Sequence, residues 1–468
     1  VIETPEFSGK TVAVMGLGRS GLAAAHALQR SGAYVWAWDD DEANREIEND
    51  LTITDLADAD WSRIETLILS PGIPHTYPAP HPVAARARAA GVDIISDVEV
   101  LVRAQRDTGY VGVTGTNGKS TTTALISHIL EANGMRVQAG GNLGIPALEL
   151  EAIEQPGFYI LEMSSYQLEL TRSAEFDVAV LGNISADHLD RHGGLDGYIA
   201  AKKMIFQSQR AGAIAVIGVD DERCAKIFHD LKTAGHLRVI PISGQQEVAA
   251  GVYAIDGVLY DDLEGLRTPI LSLDNVPALP GAHNAQNAAA AYCAARSVGL
   301  AASEISGAMS NFQGLAHRQQ IAAIIDDVRY INDSKATNPD ATARALACYK
   351  SIYWIAGGLA KEGGLKPIEP HLPNIRRAFL IGESAERIAS EFGEHLSSSL
   401  SRDLASAVTA AHAQASEDQC PEAVVLLSPA CASFDQFANF EARGREFCRL
   451  VAALPGAKRL VLNTGETA

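Results

Sequence analysis

A chain of three α/β domains, each built on a mostly parallel sheet, is the fold class that the sequence predicts. Short apolar runs alternate with helical stretches along most of the chain, the pattern of parallel strands joined by crossover helices. The runs are apolar almost throughout rather than at every second residue, as strands covered on both faces are. A length of 468 residues leaves room for about three domains of roughly 100–200 residues each.

The first unit opens with the strand Thr11 to Met15, which runs into Gly16-Leu-Gly18-Arg-Ser-Gly21. A helix from about Ser20 to Arg30 stops at Gly32, and a second strand, Ala33 to Trp38, ends at Asp39-Asp40-Asp41. This is GxGxxG between strand and helix, with an acid 18 positions after the last glycine. Such a turn lets helix N-terminal amides face a phosphate. Three readings stay open for it: a nicotinamide dinucleotide, some other diphosphate ligand, or a turn that only packs strand on helix. Ser70-Pro-Gly72-Ile-Pro74 follows the strand Thr66 to Leu69 and borders the same crevice, at the strands' C-terminal ends.

The second unit starts near Asp107. A strand, Tyr110 to Thr114, leads into Gly115-Thr116-Asn117-Gly118-Lys119-Ser120-Thr121, and a helix then runs to about Asn133 with Gly134 as its stop. In a loop of this kind backbone N–H groups cradle phosphates, Lys119 neutralises the terminal ones, and Ser120 or Thr121 ligates magnesium. The strict GxxxxGKS pattern fails at one place, where Val113 stands for the first glycine. Strand, glycine loop, GKS and helix remain in order, so an ATP-type ligand is expected. Further strands are Phe158 to Met163, Val178 to Gly182, Ala213 to Gly218 and Leu237 to Ile242. Gly251 to Tyr260 reads as a hairpin turning at Asp256-Gly257, and an Ala-rich helix from about His283 to Val298 closes the unit.

The third unit begins around Asn311 and repeats the rhythm. Its strands are Val328 to Asn332, Ser351 to Ala356, Arg377 to Ile381 and Ala423 to Leu427. The loop Ser428-Pro-Ala-Cys-Ala-Ser433 feeds a helix that ends near Leu450.

Hydrophobic residues make up 47% and charged residues 20% of the chain, which excludes the disordered and fibrous classes. The formal net charge of −19 argues against a nucleic-acid partner. It also means that a site for an anion must concentrate its own cations. Six cysteines (Cys224, Cys293, Cys348, Cys420, Cys431 and Cys448) contain no CxxC pair and fit a reducing compartment. Val1 to Lys10 has neither a basic n-region nor an apolar h-region, and no apolar run approaches the roughly 18 residues that span a bilayer. A soluble, cytoplasmic protein is expected.

Polar groups at strand ends mark the chemistry. Glu162 lies near the end of an otherwise apolar strand, where an acid is costly unless paired; a salt-bridged structural role and a metal-associated one both fit. His188 follows the next strand and reads either as a loop residue or as a ligand at a strand's C-terminal end. Lys202, in the helical Tyr198-Ile-Ala-Ala-Lys202-Lys203, reads locally as a solvated surface lysine. The loop Asp333-Ser-Lys335-Ala-Thr337-Asn-Pro339 carries an acid, a cation and hydroxyls straight after a strand. Lys335, Arg318 and Lys361, with Lys119, are loop cations in an acidic protein; a solvated loop is one reading, and a converging anion site is the better one.

Several of these segments resemble the Mur ligase family. They are GTNGKST at 115–121, LEMSSYQLE at 161–169, NISADHLDRH at 183–192, GAHNAQNAAAA at 281–291, GLAHR at 314–318, NDSKATNPDA at 332–341 and SPACASFDQF at 428–437. The GTNGKST loop is common to all Mur ligases and to folylpolyglutamate synthases. SSYQLE, DSKATNP and SPACASFDQF resemble the members that add D-glutamate to UDP-N-acetylmuramoyl-L-alanine. The resemblance implies a Rossmann-like UDP-substrate domain over 1–106, a central P-loop ATPase domain over 107–312, and a C-terminal Rossmann-like domain over 313–468 that closes on ATP and D-glutamate.

By the same resemblance Gly18, Arg19, Ser20, Asp39 and Asp40 border the uridine nucleotide, and Asn142 places the muramoyl substrate. Gly115 to Thr121 hold ATP, with Asn287 at the adenine, Arg318 at the triphosphate and Asp333 at the ribose. Ser120 or Thr121 and Glu162 surround one magnesium ion; His188 and Lys202, the latter as an N-carbamate, hold a second. Lys119, Glu162, His188 and Lys202 form the catalytic set. Lys335, Thr337, Lys361, Ser433 and Phe440 seat D-glutamate. Many members carry an Asp where Leu359-Ala360 stand here, which loosens the assignment of Lys361. The implied protein is a monomeric ligase of the bacterial cytoplasm, in peptidoglycan precursor synthesis, with no nucleic-acid or membrane partner. A folylpolyglutamate synthase lacks support from DSKATNP and SPACASFDQF, and the GKS loop undercuts an NAD-dependent dehydrogenase. A nucleotide sensor that only binds is a third rival.

Overall fold

Thr11–Met15 is the middle strand of a five-stranded, wholly parallel sheet, in the order Thr52–Ile53, Tyr34–Trp38, Thr11–Met15, Thr66–Leu69, Asp93–Ile95. The computed structural model describes residues 2–46, 50–142, 144–360 and 364–457. Val12 to Met15 and Leu67 to Leu69 are almost fully buried, which is why these strands carry apolar residues on both faces.

A second sheet has nine strands. Its parallel part runs Arg238–Ser243, Ile214–Gly218, Val178–Leu181, Gly109–Thr114, Gly157–Glu162, Arg136–Gly141. Beyond Arg238–Ser243 come Val252–Ile255, parallel to it, and then Val258–Asp261 and Thr268–Ser272, each antiparallel to the strand before. Asp256 (φ 50°) and Gly257 (φ 75°) are both left-handed, as a two-residue type I′ hairpin turn requires. The third sheet runs Gln320–Ile325, Val328–Asn332, Ala423–Leu427, Ser351–Gly357, Ile375–Ile381, Ser398–Leu400 and is parallel except at its first pair. The chain is thus an α/β protein of three mostly parallel sheets. No helix among the described residues is long and apolar enough to cross a membrane.

The chain divides into two compact units. One contains the first two sheets, running to Ser272 and resuming over Ala285–Ser310; the other contains Leu273–Asn284 and the residues from Asn311 on. Within the first unit, the buried carboxylate of Glu99 and the half-buried one of Glu169 tie the two sheets' elements together. Glu99, on helix Asp97–Ala104, accepts from the backbone N–H of Arg172 (2.7 Å) and Ser173 (2.9 Å) and from the Ser173 hydroxyl (2.6 Å). Burial alone would raise its pKa, but the bonds led by Ser173 hold it below the ordinary value. Glu169 meets His75 at 3.0 Å and His192 at 3.3 Å. Burial opposes its charge too, yet those two partners bring its pKa down to about 2.

Candidate active site

The glycine loop after Thr11–Met15 divides its work among three residues. Gly16 has φ 91°, which only a residue without a side chain adopts cheaply. A Cβ on Gly21 would collide with the Gly16 carbonyl, so this position allows helix Arg19–Arg30 to pack close. A Cβ on Gly18 would meet nothing; its open face is where a ligand can approach. Asp39 fixes the loop from the next strand, accepting from the Leu17 N–H at 2.6 Å and the Asp41 N–H at 2.9 Å. Asp40 is more exposed and bonds His81 at 2.9 Å. A cavity of about 530 Å³ gathers Gly18, Arg19, Ser20, Asp39, Asp40 and Asn142, with Ser70 to Ile73 on its border. The five residues expected at the uridine nucleotide and Asn142, expected at the muramoyl part, therefore line one space.

The second glycine loop is braced from the next strand's end. Asn183 clamps it: its Oδ1 accepts the Asn117 N–H at 3.0 Å, its Nδ2 donates to the Asn117 carbonyl at 3.0 Å, and its own carbonyl accepts the Thr116 N–H at 2.8 Å. Gly118 is left-handed at φ 84° and precedes helix Lys119–Ala132. A Cβ there would strike the Asn287 side chain, so Asn287 lies directly against the loop. Its Oδ1 also accepts from Thr122 at 3.2 Å.

Behind the loop, one buried carboxylate joins it to the Gly18 cavity. Glu162 is 3% exposed. Its Oε2 accepts the Ser120 hydroxyl at 2.5 Å and its Oε1 accepts the Asn142 amide at 2.9 Å. These hydrogen-bond partners are neutral, so neither is the ion-pair partner of the salt-bridged reading. Ser120 is the hydroxyl that meets Glu162; Thr121 is half-buried at the next position. Hydroxyl and carboxylate oxygens buried together at a phosphate loop are the donor set of a hard divalent cation. No group of three His, Cys, Asp or Glu side chains gathers as a metal site among the described residues.

Lys202 corrects the local reading of a solvated lysine. It is 1% exposed on helix Leu195–Lys203. Its Nζ donates to the Gly115 carbonyl at 2.8 Å and lies 4.7 Å from the centre of the Tyr198 ring. Nothing in the run Tyr-Ile-Ala-Ala-Lys-Lys signals this, because the element that covers it is the phosphate loop, whose Gly115 lies 87 residues earlier. Burial first, and the Lys119 charge second, push its pKa well below the ordinary lysine range. His188 is exposed and left-handed (φ 50°), 3.5 Å from Asp187. The buried histidine of this segment is His192, bonded to Ser165 at 2.9 Å.

In the second unit the loop after Val328–Asn332 and the loop after Ala423–Leu427 lie side by side. Asp333 is enclosed, accepting from Ser428 at 2.8 Å and the Gln319 N–H at 3.2 Å. Burial raises its pKa to about 7, against these bonds and the Arg318 charge. Lys335 Nζ sits 4.0 Å from the centre of the Phe440 ring, a cation–π contact. Thr337 follows on the same loop, its N–H bonded to the Lys335 carbonyl at 2.8 Å. Ser433 is buried at the start of the helix-bearing segment.

Lys361 lies outside the described residues. Two residues past the strand Ser351–Gly357, Leu359 exchanges two backbone hydrogen bonds with Ala432, both 2.9 Å. These are main-chain bonds, so Leu in place of Asp nearby leaves them intact. Sequence reasoning missed Arg443, which holds both loops. Buried on helix Phe440–Ala452, it donates to the Ser334 carbonyl at 2.9 Å, the Ser334 hydroxyl at 3.0 Å and the Cys431 carbonyl at 3.2 Å. Burial lowers its pKa to about 10. Its only sequence signal is a charged residue on the apolar face of a helix.

Known proteins resemble this chain in sequence and in fold. The Mur ligase middle domain matches residues 113–295, and the Mur ligase glutamate ligase domain matches residues 317–431. The UDP-N-acetylmuramoylalanine–D-glutamate ligase of Paramagnetospirillum magneticum is 48% identical over 97% of this chain and 98% of its own length. The enzyme of the same name from Rhodospirillum rubrum is also 48% identical with the same coverage, and that of Caulobacter vibrioides is 47% identical over 96% and 97%. Among solved structures, the UDP-N-acetylmuramate–alanine ligase of Thermotoga maritima superposes with TM-score 0.57 at 18% identity, over 94% of this chain and 98% of that one. A pseudomurein peptide ligase type C from Methanothermus fervidus gives 0.55 at 16%, over 94% and 99%; at these identities the likeness is one of fold. The sequence relatives match almost from end to end, and on that evidence the chain belongs to the Mur ligase family.

Proposed function

We propose that the chain is an ATP-dependent ligase that joins D-glutamate to UDP-N-acetylmuramoyl-L-alanine, a step in making the peptidoglycan precursor. The observation that carries this reading is Glu162, whose two oxygens reach the phosphate loop through Ser120 and the Gly18 cavity through Asn142. A carboxylate acceptor held in that cavity would have its reacting end beside the γ-phosphate. The three-domain division at 106/107 and 312/313, the monomeric state and the bacterial cytoplasm belong to the same reading.

The acceptor's L-alanyl carboxylate attacks the γ-phosphorus, ADP leaves, and an acyl phosphate forms. The D-glutamate amine then attacks that carbonyl carbon, and phosphate departs with the former carboxylate oxygen. The first step brings like charges together. Each unit pair at about 4 Å repels by roughly 4 kcal/mol at an effective dielectric near 20. Lys119 and Arg318 offset this at the triphosphate, with Asn287 at the adenine and Asp333 at the ribose. Ser120 and Glu162 would hold one magnesium ion, and His188 with a carbamylated Lys202 a second; such ions would supply the remaining positive charge. A lysine joins carbon dioxide only as the free amine, and the burial and crowding of Lys202 favour that form. Lys335, Thr337, Lys361, Ser433 and Phe440 seat the incoming D-glutamate.

Oxygen-18 in the acceptor carboxylate tests the mechanism. One labelled oxygen should appear in the inorganic phosphate after turnover with ATP and D-glutamate. Unlabelled phosphate would rule out the acyl phosphate.

A further inference from the structure

Asn183, the clamp on the phosphate loop, is itself held from behind. Three donors converge on Asp220, two residues past strand Ile214–Gly218. The Gly244 N–H and Gln286 Nε2 both donate to its Oδ2 at 2.9 Å, and the Ser243 hydroxyl donates to its Oδ1. Ser243 has no choice in this. Its oxygen already accepts the Gln245 and Gln246 N–H groups at 3.0 and 2.9 Å, so its one hydrogen goes to Asp220. Gln286 is 5% exposed on helix Ala282–Ser297. A Cβ on Gly218 would strike its amide, so the side chain lies directly against the strand end. Its Oε1 faces Asn183 Nδ2 at 3.5 Å.

An amide side chain has one accepting end and one donating end, and its partners decide which way it turns. The Gly244 N–H is a main-chain donor, so Asp220 Oδ2 accepts and Gln286 turns its NH2 towards it. Oε1 is then left for Asn183, which presents Nδ2 and keeps Oδ1 for the Asn117 N–H. The far end agrees: the Asn117 N–H and carbonyl demand the same orientation of Asn183. Reversing Gln286 would set oxygen against oxygen at Asp220 and NH2 against NH2 at Asn183. We infer that Asp220 and Gln286 are positioning residues for the nucleotide, fixing the phosphate loop through the orientation of Asn183, an inference that rests on the ATP reading of that loop. A loop already in its bound shape spends less of the binding energy on ordering.

Calorimetric titration with ATP and magnesium, paired with amide hydrogen exchange over residues 115–118 of the free protein, tests this. The proteins are the wild type, Gln286→Met, Gln286→Glu and the Gln286→Glu/Asp220→Asn pair. Met fills the space without polar atoms, so Gln286→Met should bind ATP about tenfold more weakly and UDP-N-acetylmuramoyl-L-alanine within about twofold of wild type. Its loop amides should exchange about fivefold faster. Gln286→Glu sets a second carboxylate against Asp220 and should bind ATP at least as weakly as Gln286→Met. Adding Asp220→Asn removes one of the two facing carboxylates and should recover part of that loss, a non-additive result. Unchanged ATP affinity or unchanged exchange in Gln286→Met would overturn the proposal. Equal losses for both ligands would also overturn it, making the residue structural, as would a double variant no tighter than Gln286→Glu. If Gln286→Met does not fold, the Gln286→Glu variant and its double decide by themselves. Failure of the wild type to bind ATP would sink the ATP reading and this inference together, whereas wild-type binding with an equally tight Gln286→Met sinks this inference alone.

Discussion

Lys119 and Lys202 donate to the same acceptor: the Gly115 carbonyl lies 3.0 Å from one Nζ and 2.8 Å from the other. Two ammonium groups on one oxygen repel, and the more deeply buried, Lys202, is the one whose proton is destabilised. A pair of cations would suit a phosphate loop as well, so the state of Lys202 has chemical consequences.

Lys202 should act as an anion. Lys202→Ala is expected to lose activity by more than a hundredfold and to recover part of it in added acetate, while Lys203→Ala stays active. Labelled bicarbonate should give a carbamate carbon resonance in the wild type that Lys202→Ala lacks. Full activity with no such resonance would refute the carbamate.

Lys119→Ala should abolish turnover without unfolding the protein. The side chain reaches back over its own loop to the Gly115 and Thr116 carbonyls, both 3.0 Å away, so its loss removes charge from the phosphate site rather than packing. Turnover above about a tenth of wild type, or under ~1.4 kcal/mol of barrier, would contradict a role on the phosphates. The melting temperature checks the fold.

Asp333 should make stability fall as pH rises. Its pKa goes from an ordinary 3.8 to about 7 on burial, so the folded state holds a proton that the unfolded state releases. The contribution is fully present below about pH 4 and is lost as pH climbs through 7. Ionising it at pH 8 costs up to about 4 kcal/mol on that basis. Asp333→Asn should therefore be more stable than wild type at pH 8, by on the order of 2 kcal/mol, and equal to it near pH 4. It should also use ATP less well. Urea unfolding at both pH values checks the sign; an Asn variant less stable at pH 8 would reverse it.

Ser433→Ala should raise the KM for D-glutamate about tenfold and leave the KM for the UDP substrate unchanged. The change removes a hydroxyl, while the backbone carbonyl of 433 still accepts from the Gln436 and Phe437 N–H groups at 3.1 and 2.8 Å. Equal losses for both substrates would make the residue structural.

What the sequence made legible was whatever chemistry is local. The two glycine loops, their strands and the hairpin at Asp256-Gly257 are short-range patterns, and each glycine's role follows from its own backbone. Arg136–Gly141 went unread because it is the edge strand of its sheet, where a polar, glycine-ending run suffices. Contacts across long separations left little trace. Lys202 under Gly115, Asn183 on Asn117, Asn142 on Glu162 and Arg443 across two loops are each set by tertiary packing. For Lys202, only resemblance to relatives pointed beyond the local reading.

Phosphate release measured with each substrate omitted in turn tests the central claim most directly. The account predicts sustained release only when ATP, UDP-N-acetylmuramoyl-L-alanine and D-glutamate are all present, one phosphate for each amide bond formed. Sustained release without D-glutamate, or with L-glutamate or a folate in place of the proper partners, would contradict it.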